Sequence, residues 1–103
     1  MKSVLNINRD NFEREVMESK QPVLLDFYAP WCGPCRMVAP AMEEIANERE
    51  DIKVGKVDIE DQKELADRFG VLSVPALVVM KDGKIINRAI GARPKEDILS
   101  LVV

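Results

Sequence analysis

Cys32 and Cys35 are the only cysteines in the chain, and two residues separate them. Thiols at that spacing close into a disulfide without moving the rest of a fold. A thiolate from another molecule can reopen it, provided one sulfur is exposed and acidic enough. The pair lies inside Trp31-Cys32-Gly33-Pro34-Cys35. Upstream, Val23-Leu24-Leu25-Asp26-Phe27 reads as a buried strand, and downstream Arg36 to Arg49 reads as a helix. The dithiol therefore sits where a strand hands over to a helix N-terminus, whose unpaired amides and dipole favour a thiolate on Cys32. Cys32 is the expected nucleophile. Cys35, one turn inside the helix, is the expected resolving thiol and the more buried of the two. A target disulfide would be attacked by Cys32 to give a mixed disulfide, and Cys35 would then attack Cys32 to release the reduced target.

Two other readings of the cysteines stay open at this point, a structural disulfide and half of a zinc or iron–sulfur site shared between two chains. A disulfide closing so short a loop constrains the unfolded chain little. Histidine is absent, so two cysteines cannot complete a four-ligand zinc site within one chain, and no metal is expected. Asp26 is the odd residue of its strand. It is either a solvated carboxylate at a sheet edge or a desolvated acid with a raised pKa that takes the proton from Cys35. Pro34 is tolerated in a first helical turn; between the cysteines it also stiffens the turn and adds no polar group.

The elements that must position these residues follow from the apolar pattern. Val4 to Ile7 is a first strand. Asn8 or Asp10 caps a helix to about Ser19, with Phe12, Val16 and Met17 facing the core. After Gln21-Pro22 comes the strand Val23 to Tyr28. The cysteine-bearing helix presents Val38, Ala41, Met42, Ile45 and Ala46 on one face, and Pro40 inside it should kink it. Ile52 to Ile59 is a strand, and Asp61 to Phe69 a short helix ended by Gly70. Ala76 to Met80 and Lys84 to Ile90 flank the hairpin signal Lys81-Asp82-Gly83. Pro94 opens a last helix to about Val102. Strand–helix alternation followed by a hairpin predicts an α/β fold, a mixed five-stranded sheet flanked by four helices on both faces.

Composition bounds what this scaffold does. With 103 residues the chain has room for one domain, expected to span residues 1–103. It is 47% hydrophobic and 32% charged, with a net charge of −3, which describes an ordinary globule. No basic stripe alternates with aromatics, so nucleic acid is not an expected partner. No apolar run is long enough for a signal peptide or a bilayer span, and a cytosolic location is expected unless a leader was removed. In a reducing cytosol, two cysteines point to catalysis or metal binding rather than to a staple. No heptad or large apolar stripe suggests assembly, so a monomer is expected.

The run from Val23 through Asp26, Tyr28 and Trp31-Cys32-Gly33-Pro34-Cys35 to Arg36, Met37 and Pro40 resembles the thioredoxin signature almost residue for residue. Val74-Pro75, Lys81-Asp82-Gly83 and Gly91-Ala92 fall where that family has its second proline loop, its hairpin and its distal glycine. The resemblance covers essentially the whole chain. It implies a thioredoxin fold and a protein-disulfide reductase acting on disulfide-containing targets. It implies recharging by a flavoprotein reductase with NADPH, and no cofactor held in this chain. Gly33-Pro34 between the cysteines matches the reducing members; those with histidine there tend to be oxidants or isomerases. The resemblance further implies that Lys56 sits near Asp26, although by pattern alone it reads as a solvated strand charge. Val74–Pro75 is then expected to be cis, to lie against the cysteines and to offer Val74's backbone to an extended peptide. Trp31, Gly33, Pro34, Ile59, Val74, Pro75, Gly91 and Ala92 would form an apolar docking surface. Tyr28, Ser73 and Ala76 depart from the common pattern, where tryptophan, a smaller residue and threonine are frequent. A binding module that uses the fold as a subunit, its dithiol incidental, is the competing reading from another class.

Overall fold

The computed structural model describes residues 3–102; Met1, Lys2 and Val103, the ends of the expected domain, lie outside the described residues. Strands β1 (Leu5–Asn6), β2 (Val23–Tyr28), β3 (Lys53–Asp58), β4 (Ala76–Lys81) and β5 (Lys84–Ile90) form one sheet. The helices are a π-helical turn over Glu13–Met17, then α1 (Gly33–Glu48), α2 (Lys63–Arg68) and α3 (Lys95–Val102). Spatial order is β1-β3-β2-β4-β5. β1 and β2 run parallel to β3, and β4 runs antiparallel to both β2 and β5. This is the mixed five-stranded sheet with four helices read from the sequence, and β2 is its middle strand.

Alternation along the strands divides the core in two. Leu25, Phe27, Val57, Val78 and Met80 pack against Phe12 and Val16 beside the π-helical turn and Leu65 and Phe69 by α2. Leu24, Val54, Leu77 and Val79 pack on the other face against Val38, Met42 and Ile45 of α1 and Ile98 and Leu101 of α3. Gly55 is required by close approach: a Cβ there would lie 2.7 Å from Ile7 Cγ1. The β4–β5 turn is Asp82-Gly83, with φ of 53° and 75°, the positive pair that a two-residue hairpin twist demands.

Two elements differ from the sequence reading, each through a side chain or turn that periodicity does not register. Asn8 Oδ1 accepts from the Asp10 and Asn11 amides at 2.8 and 3.0 Å and holds a turn, although the N-cap position itself is Phe12, which makes no side-chain capping bond. The segment that follows is a five-residue π turn rather than a helix to Ser19. Glu18 N donates to Glu13 O at 2.9 Å, and Lys53 Nζ takes the Glu15 carbonyl at 3.1 Å. Helix α2 begins at Lys63 because the Asp58 carboxylate accepts from the Glu60 and Asp61 amides and holds a turn there. It closes as read, at Gly70 (φ 65°), with Gly70 N bonding Asp67 O and Val71 N bonding Ala66 O, a Schellman end. α1 runs through Pro40 as a single helix. Among the described residues, no helix is long and apolar enough to cross a membrane.

Candidate functional site: a dithiol at a helix N-terminus

Cys32 is the N-cap of α1. Its backbone is extended (φ −86°, ψ 112°), and its Sγ accepts a hydrogen bond from the Cys35 amide at 3.1 Å. The two cysteines form a disulfide, with Cα atoms 5.3 Å apart. Pro34 occupies the first turn, where its missing N–H leaves no bond unmade. No carboxylate stands in that turn, so nothing there opposes negative charge on sulfur. Arg36 arches back to donate to the Pro30 carbonyl at 3.2 Å.

The expected difference in burial between the cysteines is absent: each is 4% exposed. The disulfide ties both sulfurs to one small apolar cluster, where Ala29 joins them and Tyr28, Ile59 and Val74 pack on top. Val74 reaches the site from another part of the chain, its carbonyl oxygen 3.8 Å from Cys32 Sγ. The Val74–Pro75 bond is cis. Gly91 N donates to Pro75 O at 2.8 Å, joining the distal glycine (φ 97°) to the proline loop.

Of the expected docking residues, Trp31 is 63% exposed. Gly33, Pro34 and Ala92 are also exposed, and Ile59, Val74 and Gly91 are half-buried. Pro75 is the exception. It is buried, so it supports the surface without belonging to it. Glu60 has a place that the sequence reading missed: its carboxylate accepts the Trp31 indole N–H. The two are distant in sequence, and no local pattern signals the contact.

Asp26 lies beneath α1. It is 4% exposed, which excludes the solvated edge carboxylate. Burial pushes its pKa up from 3.8 to about 7, partly offset by the positive charge of Lys56. Asp26 and Lys56 are register partners across the β2–β3 parallel pair, so both side chains rise from the same face. Lys56 is half-buried, and its Nζ stands 6.0 Å from the centre of the Tyr28 ring. Asp26 Oδ1 has no hydrogen-bond partner among the described residues. It borders a cavity of about 190 Å³ lined also by Tyr28, Ala29, Pro30, Cys35, Arg36, Ala39 and Lys56. The cavity thus joins the buried acid, the lysine and the inner cysteine. Tyr28 and Arg36 complete its wall, and neither was singled out for this place from the sequence.

A helix-capping cysteine disulfide-bonded to a second cysteine one turn on, beside a buried acid, is equipped for dithiol–disulfide exchange. Residues 3–103 match the family model described as thioredoxin. Thioredoxin 1 of Synechococcus elongatus is 49% identical over 85 residues, 82% of this chain and 79% of that protein. Thioredoxin of Haemophilus influenzae is 41% identical over 103 residues, 99% of this chain and 96% of that protein. Among solved structures, Malassezia sympodialis thioredoxin superposes with a TM-score of 0.88 at 31% identity, covering 100% of this chain and 94% of that one.

Proposed function

This chain belongs to the thioredoxin family and is a thiol–disulfide oxidoreductase, and from that premise we propose that it is a protein-disulfide reductase. In the reduced protein, the Cys32 thiolate attacks one sulfur of a target disulfide, and the other target sulfur leaves as a thiolate. Asp26, as carboxylate, takes the proton from Cys35 across the shared cavity, directly or through water. The Cys35 thiolate then attacks Cys32 Sγ, the Cys32–target bond breaks, and the target leaves carrying two electrons while the Cys32–Cys35 disulfide forms. With its pKa near 7, Asp26 can both accept and give up this proton at neutral pH. Lys56 keeps the acid from drifting further upward. Targets dock on Trp31, Gly33, Pro34, Ile59, Val74, Gly91 and Ala92, with Pro75 beneath. A flavoprotein reductase restores the dithiol with electrons from NADPH, and the chain itself holds no cofactor. It acts as a single domain over residues 1–103, as a cytoplasmic monomer.

The observation that carries the direction is the first turn of α1. It gives the Cys32 sulfur a backbone amide at 3.1 Å, and Gly33-Pro34 adds no side-chain donor that would hold the thiolate more tightly. An over-stabilised thiolate makes an oxidant, so this turn favours a reductant. The test is the reduction potential of the Cys32–Cys35 couple, followed by Trp31 fluorescence across glutathione and dithiothreitol buffers. A value more negative than about −220 mV, the upper bound for cytosolic glutathione, is expected. A value near those of isomerases, about −180 mV, would overturn the reductase reading.

A further inference from the structure

Leu72 is 97% exposed. Single exposed leucines are ordinary on loose loops, but this one is held out by a fixed loop. On one side Val71 packs against the core, and its amide bonds Ala66 O at 2.9 Å. On the other, Pro75 is buried, with its carbonyl bonded by Gly91 N at 2.8 Å. Between these anchors Val74 places its carbonyl 3.8 Å from Cys32 Sγ. The backbone of Leu72 and Ser73 makes no hydrogen bond among the described residues. An apolar side chain therefore stands two residues from the backbone that touches the reacting sulfur, beside main-chain groups open to a partner. From Phe69 to Met80 the sequence carries no charge, so the loop itself offers nothing to a charged side chain.

We propose that Leu72 is a specificity-determining residue, taking a large apolar side chain from an extended target segment that pairs with the Leu72–Val74 backbone while its disulfide sulfur meets Cys32. The proposal rests on the reductase reading and adds which targets are preferred. Because the loop is anchored before binding, little ordering entropy opposes the contact.

The test uses the reduced full chain and three probes in single-turnover reactions followed by Trp31 fluorescence. Two are disulfide peptides that differ only in a leucine or a serine near the cysteine. The third is 5,5′-dithiobis(2-nitrobenzoate), which has no peptide backbone to pair with the loop and no aliphatic side chain to meet Leu72. Half-saturation for the leucine peptide is expected at about tenfold lower concentration than for the serine peptide, as partial burial of one leucine predicts. Leu72→Ser should erase that preference, with the maximal rate and the reduction of the small disulfide unchanged, and Leu72→Met should keep it. Equal half-saturation for both peptides with the unaltered chain would overturn the proposal, as would an equal loss on all three probes in Leu72→Ser. Failure of the unaltered chain to reduce any probe would instead remove the reductase reading, and this proposal with it.

Discussion

Along β2, Leu25 and Phe27 turn to one face of the sheet and Leu24 and Asp26 to the other, and the two faces are packed to different standards. The first is continuous hydrocarbon: Phe12, Phe27 and Phe69 meet with ring centroids 5.7 and 5.2 Å apart, and among the described residues no ionisable side chain is buried with them. Gly55 has no room there even for a methyl group. The second face is equally apolar under the C-terminal part of α1 and under α3. Under the N-terminal end of α1 it gives way to Asp26, Lys56 and a cavity of about 190 Å³ that reaches Cys35. A buried acid with an unsatisfied oxygen and a void is a poor way to pack a core. Its position beside the dithiol fits the proposed role of proton acceptor for Cys35.

The comparison breaks most visibly on the sealed face. Phe27→Ala removes a fully buried ring and should cost about 3–5 kcal/mol, a large share of the stability of a domain this size. Phe27→Leu, losing less volume, keeps the experiment readable if the alanine variant does not fold. Urea unfolding measures the loss, and the Cys32–Cys35 potential should not change in the folded variant. A shifted potential would mean that the two faces are not independent.

On the other face the sign reverses with pH. Folded Asp26 keeps its proton up to about pH 7, whereas in the unfolded chain it loses it near pH 4. Between those values the native state binds more protons than the unfolded one. Stability therefore falls as pH rises through that window and reaches its full loss above it, on the order of 4 kcal/mol. Asp26→Ala abolishes this loss. Relative to the unaltered chain, the variant should gain stability progressively from pH 4 to pH 9, with the pH 4 difference isolating the effect of the missing atoms. It should also reduce targets more slowly at neutral pH. A difference in stability that does not change with pH would show that Asp26 is not a desolvated acid.

What the sequence disclosed and what it hid divide along similar lines. The β2 strand, the cysteines at a strand–helix junction, the Asp82-Gly83 hairpin and the apolar stripe of α1 all rest on local spacing, and each is found at or near its expected position. Asp26 stayed open between two readings because burial depends on strand order. Only the insertion of β2 between β3 and β4 seals it. The equal burial of the two cysteines depends on Val74, 42 residues from Cys32, and the Trp31–Glu60 contact spans 29 residues. The π turn answers to Lys53, 38 residues from Glu15. Contacts at such separations leave no mark in periodicity or turn chemistry, so the local frame of the site was readable and its closure was not.

The smallest expected effect tests whether Lys56 belongs to the chemical face or merely borders it. Its ammonium opposes the upward push of burial on Asp26, yet Lys56 is half-buried and stands over the Tyr28 ring, where solvent screens it. Lys56→Met keeps the apolar stem and removes the charge. Without that charge, the Asp26 midpoint should rise above about 7 and carry the falling limb of the stability curve to higher pH. The extra loss at pH 9 should be under about 1 kcal/mol, the scale of a partly exposed pair. At pH 4, where Asp26 is protonated in the native state, the variant and the unaltered chain should differ only by the packing of the new side chain. Carbon-detected titration of the Asp26 carboxyl reads the midpoint directly. A midpoint that stays in place would confine the chemistry of this face to Asp26 and the two cysteines.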